Sequence, residues 1–187
     1  MAAQPEATQE VFPVLIVGGD PVGLAMAVEL GWRGIRCLLV DHGDGTVDHP
    51  KTKGVNMRTM EFCRRWGIHD AVREQGYPRD RPHDHIYFTT LAGHLIYRHS
   101  QPPLEEVSPP SGALEPFQRC PQTVLDPLLM ARARSFPSVT LRHRTRCESI
   151  SQDGEGVGAR IMDLSTGKAT IVRARFVVAC EGARWLA

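Results

Sequence analysis

Residues 12–41 read FPVLIVGGDPVGLAMAVELGWRGIRCLLVD, and this stretch decides the fold. Residues 12–17 form an almost continuous apolar run, the pattern of a parallel strand covered on both faces, and so of a central strand. Gly18, Gly19, Asp20, Pro21, Val22 and Gly23 follow at once. Leu24, Ala27, Val28 and Leu30 then set an apolar stripe at helical spacing, and Gly31 or Gly34 ends the helix. Residues 35–40 are a second β-rich run closing on Asp41. Strand, glycine turn, helix, strand and acid make one βαβ unit of about 30 residues.

That order matches the dinucleotide fingerprint: a strand, GxGxxG, a helix, a second strand and an acidic residue about 20 positions on. Gly18 and Gly23 hold the first and third glycine positions, and Asp41 lies 18 residues past Gly23. Gly18 permits the tight turn, Gly23 lets helix and strand pack closely, and the N–H groups at the helix start present donors to a pyrophosphate. Asp41 is placed to accept hydrogen bonds from an adenosine ribose. The middle glycine is replaced by Asp20, where backbone and pyrophosphate come closest. Two like charges about 4 Å apart repel by about 1 kcal/mol in water and about 4 kcal/mol at an effective dielectric near 20, which lowers affinity by about one to three orders of magnitude. Asp20 also reads as a helix cap with Pro21 at the first helical position. The two readings are compatible, and they leave open both a dinucleotide site that forms and a Rossmann-like scaffold that has lost it.

Outward from this unit, residues 42–50 are loop, and residues 56–66 (NMRTMEFCRRW) predict a helix stopped by Gly67. Between residues 76 and 117 the sequence is irregular and proline-rich, with strand candidates at 86–91 and 94–99 around a turn at Gly93: a hairpin outside the main sheet. Residues 121–136 predict a third helix, with Pro127 either breaking it or marking its start. Residues 139–150, 156–164 and 169–172 alternate with turns as a meander, and residues 175–180 (RFVVAC) return to the character of a central parallel strand.

The chain has 187 residues, 23% of them charged, and a formal net charge of +1, so no long-range field points to nucleic acid or a membrane. The first residues read as a disordered tail without a secretory signal, no apolar run approaches a membrane span, and a soluble, cytoplasmic protein is expected. Five widely spaced cysteines without CxxC argue against a disulfide framework and a zinc site, and imply buried thiols. His83-Asp84-His85, with His94 and His99, fits no metal spacing and reads as solvated loop and hairpin. Arg142, Arg144 and Arg146 read as one exposed strand face. No Gly-x-Ser-x-Gly elbow surrounds a serine, which excludes the common hydrolase nucleophile.

VLIVGGDPVGLAMAVEL, HPKTKGVNMRTMEFCRRWGI, QRCPQTVLDPLL and RARFVVACEGARW together resemble the FAD-dependent aromatic-ring monooxygenases of the para-hydroxybenzoate hydroxylase and phenol hydroxylase type. The resemblance runs from residue 12 to the end. It implies an α/β, Rossmann-like FAD-binding domain, a parallel sheet with helices plus a β-meander, carrying an incomplete inserted substrate subdomain. It places Lys51 at a basic position beside the flavin nucleotide that is usually arginine, an exchange that keeps the charge and loses the bidentate fork. Gln122, with Arg119 nearby, falls where a glutamine approaches the ribityl and pyrophosphate region. Glu181 and Gly182 take the place of the family's Asp-Gly, and Glu181 reaches about one methylene further.

The expected cofactor is FAD, with NAD(P)H as co-substrate and a small aromatic, phenolic substrate. Gly18, Gly19, Asp20, Pro21, Val22, Gly23, Asp41, Lys51, Arg119, Gln122, Glu181 and Gly182 are the cofactor-binding candidates. No residue receives a bond-making role and no metal is expected. Family members run to about twice this length or more, so the chain is expected to stop before their second flavin motif. The division expected is a tail at 1–11, an FAD-binding βαβ region at 12–75, a partial substrate-domain hairpin at 76–117 and a return to the FAD-binding domain at 118–187. The alternative is a non-catalytic pseudoenzyme or interaction module that needs a complementing chain or forms a homodimer. An NAD(P)-binding dehydrogenase ranks third, because the later motifs match the flavin family.

Overall fold

The computed structural model describes residues 10–182. They group into two compact units, one holding the described residues up to His49 and from Asp126 on, the other Pro50–Leu125.

The first unit is built on β1 (Glu10–Val17), α1 (Pro21–Trp32) and β2 (Cys37–Val40), followed later by the main part of α4 (Gln122–Arg134; α2 and α3 belong to the second unit), then β5 (Val139–Arg142), β6 (Thr145–Asp153), β7 (Gly156–Asp163) and β8 (Ala169–Ala179). One six-stranded sheet runs β5-β2-β1-β8-β7-β6. β5, β2, β1 and β8 are parallel, with Val14 opposite both Cys37 and Phe176. β6, β7 and β8 form the antiparallel meander. The apolar run is central, as expected: Leu15, Ile16 and Val17 are buried. Alternation sends Leu15 and Val17 to one face, where they join Cys147, Ala159, Ile161 and Val172 of the meander. On the other face α1 packs on β1 and β2 through Leu24, Ala27 and Val28, all fully buried.

Three expectations are corrected here. Residues 139–150 are two strands, because Arg144 takes a left-handed φ of 51° and turns the chain from parallel pairing with β2 to antiparallel pairing with β7. That break also removes the single arginine face: Arg142 pairs with Glu10 at 2.6 Å and Arg144 with Asp44 at 3.6 Å. The two runs expected at 169–172 and 175–180 belong to one long strand, β8, which ends at Ala179; residues 169–174 pair with β7 and residues 172–179 with β1.

The second unit holds α2 (Met57–Trp66), α3 (His69–Gln75), the hairpin β3 (His85–Phe88) and β4 (Leu95–His99), a 3-10 turn at Leu104–Glu106 and the first residues of α4. α2 starts where read: the Asn56 side chain accepts the Thr59 N–H at 2.8 Å, and Gly67 stops the helix. α3 is an element the sequence reading did not anticipate; at seven residues it is too short to show a period. The hairpin forms a separate two-stranded sheet, as expected. Pro127 lies inside α4 instead of starting it. All five cysteines are buried free thiols. No helix among the described residues is long and apolar enough to cross a membrane.

The second unit has little β-structure and is held by a buried carboxylate. Glu115, 1% exposed, bonds Arg64 of α2 at 3.2 Å and Arg73 of α3 at shorter range. Removing Glu115 takes the partner from Arg73, 24% exposed, while Arg64, 55% exposed, stays in water, so the loss is that of charge-assisted hydrogen bonds, about 2 kcal/mol. Glu115→Ala is therefore expected to lower stability by about 2 kcal/mol in urea unfolding, whereas Arg58→Ala, which removes an exposed i,i+3 pair with Glu61, costs under about 0.5 kcal/mol.

Candidate cofactor-binding site

The glycine turn forms where β1 meets α1. Gly18 has φ +107°, and its N–H donates to the Val40 carbonyl at 2.9 Å. A Cβ at Gly18 would lie 2.6 Å from the Cys180 carbonyl carbon, so the turn sits directly against the end of β8. A Cβ at Gly23 would lie 1.9 Å from the Gly18 carbonyl oxygen, so α1 crosses the turn as closely as backbone allows. Both glycines have the structural roles read from their spacing.

Asp41 does more than the sequence indicated. Its Oδ2 accepts the Gly19 N–H at 2.8 Å and its Oδ1 accepts the Gly43 N–H at 2.8 Å. One half-buried carboxylate thus ties the end of β2 to the glycine turn and to its own loop. A carboxylate has about four acceptor sites, so these two bonds leave capacity for ribose hydroxyls.

Asp20 occupies the N-cap position of α1 with Pro21 at the first helical position, but its side chain makes no capping hydrogen bond. The cap reading is right in place and wrong in mechanism. Its backbone carbonyl starts the helix, accepting the Leu24 N–H at 3.1 Å. Pro21 lacks an N–H, so Val22 and Gly23 supply the first-turn amides that helical geometry leaves without an intrahelical acceptor.

Glu181 and Gly182 follow β8 after the single residue Cys180. Burial pushes the Glu181 carboxyl above the usual carboxylate range; His42 opposes that shift and Asp41 adds to it. The turn residues, Asp41 and Glu181 therefore meet at the carboxyl ends of parallel β1, β2 and β8, the edge at which open α/β sheets bind ligands.

The second unit brings two further candidates together. The Gln122 side chain is buried, and its Oε1 accepts the Lys51 N–H at 2.9 Å, while the Gln122 N–H donates to Thr52 O at 3.0 Å. Val55 and Gln118 exchange backbone bonds of 2.8 and 2.9 Å, so residues 51–55 run antiparallel to 118–122. Lys51 is exposed. Arg119 is separated from that pair at its head: its Nη2 donates to the His83 carbonyl and to His85 Nε2, both at 3.1 Å. His83, expected in a solvated loop, is only 5% exposed and meets Phe117 edge-on at 5.4 Å. Sequence reading missed Gln118 and Phe117, and missed the burial of His83, because they sit in irregular segments with no period to expose them.

The site fits a dinucleotide: a glycine turn with no room for a side chain, amides at a helix start, and an acid at the end of the second strand. The FAD binding domain family matches residues 11–186. The chain belongs to this FAD binding domain family. It is 35% identical over 189 residues to the tetracenomycin B2 monooxygenase-dioxygenase of Streptomyces olivaceus, covering 92% of the chain and 34% of the relative. It is 31% identical to the phenol 2-monooxygenase of Pseudomonas sp. (strain EST1001), covering 91% of the chain and 28% of the relative. The solved flavin-dependent monooxygenase PieE, in complex with FAD and substrate, superposes with a TM-score of 0.82 at 33% identity, over 93% of this chain and 31% of that one. The chain thus spans about a third of the length of the relatives it matches.

With FAD as cofactor, the charge at Glu181 acquires a consequence. As pH falls through its raised pKa the carboxyl neutralises and its repulsion of the pyrophosphate disappears. FAD affinity is expected to rise about fivefold as pH falls through that raised pKa, the value of roughly 1 kcal/mol of relieved repulsion. Glu181→Gln should bind above that pKa as the parent does below it; equal pH profiles for parent and variant in a fluorescence titration would exclude Glu181 as the cause.

Proposed function

We propose that this chain holds the FAD of an aromatic monooxygenase that hydroxylates a phenolic substrate with NAD(P)H and O2. The observation that carries the reading is the turn from Gly18 to Gly23, which delivers a helix start to the carboxyl ends of parallel strands without a side chain in the way. Val22 and Gly23 donate their amides to the pyrophosphate, Gly19, Asp20 and Pro21 shape the turn, and Asp41 accepts from the ribose. Glu181 and Gly182 close the pyrophosphate side. The likeness of the segments around Lys51, Arg119 and Gln122 to flavin-binding ones assigns these three residues to the cofactor as well. Gln122 acts through the main chain, fixing the Lys51 backbone.

When bound, FAD supplies the electron transfer and oxygen activation; the chain binds and orients it. Residues 76–117 are assigned to the substrate side and the segments around them to the cofactor side. The hairpin, exposed along both strands, supports the companion proposal that a complementing chain or a second copy pairs with it. Five buried thiols suit the reducing cytoplasm, where NAD(P)H is also found.

Titration of the purified chain with FAD, followed by flavin fluorescence and the visible spectrum, tests the reading. Saturable micromolar binding is expected. Asp20→Gly, which removes the exposed carboxylate at the middle position, should tighten it about tenfold. Absence of binding in both proteins would overturn the assignment of the turn as a sufficient cofactor site.

A further inference from the structure

We propose that His143 is a pH-operated latch beneath the loop that follows β2, residues 42–46. Neutral, its ring lets the loop lie closed over it; protonated, it draws on the carboxylates that hold the loop, and the loop opens. The inference rests on the FAD reading only for what the loop serves, since Asp41 at its root is the acid assigned to the ribose.

Polar bonds close the loop at both ends. Asp41 Oδ1 accepts the Gly43 N–H at 2.8 Å, and the Gly43 carbonyl accepts the Arg144 N–H at 2.7 Å. Asp44 Oδ1 accepts the Thr46 N–H at 3.0 Å and the Thr46 hydroxyl at 2.6 Å, while Asp44 Oδ2 lies 3.6 Å from Arg144. Between these ends, Gly45 has φ +89° and rests on side chains. A Cβ there would stand 3.0 Å from His143 Cε1 and 3.0 Å from Met130 Cε of α4. The closed position of the loop is therefore set by the His143 ring beneath it.

Both nitrogens of that ring are enclosed, and neither has a hydrogen-bond partner among the described residues. A neutral imidazole in this place leaves one donor and one acceptor unmet; an imidazolium leaves two donors and a full charge unmet, which costs far more. Burial accordingly pushes His143 below the usual histidine range; Asp41 opposes that shift, Arg134 of α4 adds to it and Asp44 opposes it. The two carboxylates that could receive the extra proton's N–H are already engaged, Asp41 by the Gly19 and Gly43 amides and Asp44 by Thr46. A proton on His143 thus competes with the bonds that keep the loop shut.

The sign follows. An open loop returns the ring to water and to the ordinary histidine pKa of about 6.5, whereas the closed loop holds it lower. The closed form therefore loses ground as pH falls below about 6.5, by up to about tenfold in the closed-to-open ratio per pH unit, until the closed form is itself protonated. Opening moves Asp41, so FAD affinity falls with it, opposite in direction to the effect of Glu181. His42, 65% exposed and 4.0 Å from Asp41, also titrates near the loop. Comparing the parent with His143 variants at each pH removes what Glu181 and His42 contribute, because all the proteins share them.

The test is hydrogen exchange of the whole chain without FAD, from about pH 8 to pH 5, read as protection factors so that the intrinsic pH dependence of exchange drops out. The amides followed are Gly43, Thr46 and Arg144, which make the closing bonds. Their protection is expected to fall in the parent below about pH 6.5 and to stay level in His143→Leu, which fills the place without titrating. Should His143→Leu fail to fold, His143→Gln decides. FAD affinity, measured separately by flavin fluorescence, should fall in the parent relative to the variant over the same range. Level protection in the parent, an equal fall in parent and variants, or a parent-to-variant affinity ratio that does not change with pH would overturn the proposal. A latch that opens in a chain that binds no FAD at any pH sinks the cofactor reading alone; FAD binding with level protection sinks this inference alone.

Discussion

The first unit depends on the approach of Gly23 to the Gly18 carbonyl, a contact in which any Cβ would stand 1.9 Å from oxygen. That contact sets where α1 leaves the sheet. Because α1 starts there, its free amides face the carboxyl ends of β1, β2 and β8. Because Gly18 also lies against the Cys180 carbonyl, β8 must end at the same level, and Glu181 is delivered to the turn. One steric constraint thus aligns the helix, three strand ends and two acids.

Asp41 turns that steric arrangement into a rigid one. Without its two bonds, the Gly19 amide and the Gly43 amide would need other partners, since buried or half-buried backbone donors are costly to leave unpaired. The price is a concentration of negative charge, because Asp20, Asp41 and Glu181 all lie at the glycine turn. Burial partly resolves this by raising the Glu181 pKa. Asp20 stays exposed, where water's high dielectric keeps its repulsion near the small end of the range.

The first unit was legible in the sequence because its signals are periodic or punctuated. Residues 12–17 are apolar without alternation because both faces of β1 are buried, and the glycines stand where backbone meets backbone. The strand break at Arg144 was invisible: a non-glycine residue with positive φ leaves no mark in composition. Asp20 was read as a cap from its residue type, yet type fixes only the position; the side-chain bond depends on a rotamer that the sequence does not display. The double bond of Asp41 was equally hidden, since the motif names an acid for a ligand and is silent on the loop it also holds.

The second unit resists such reading for a physical reason. Its order comes from pairings between distant irregular segments: Lys51 with Gln122, Val55 with Gln118, Glu115 with Arg64 and Arg73. Each is a polar bond sheltered from water, so each is strong in place and absent from any hydrophobic pattern. A sheet or helix would satisfy its backbone locally and bury an apolar stripe. Here the backbone of residues 51–55 is satisfied by residues 118–122, which frees the intervening chain to carry a hairpin with exposed rings. The exposed hairpin is therefore held in place by main-chain bonds made far away in sequence, and substitutions on its strands can be made without disturbing those bonds.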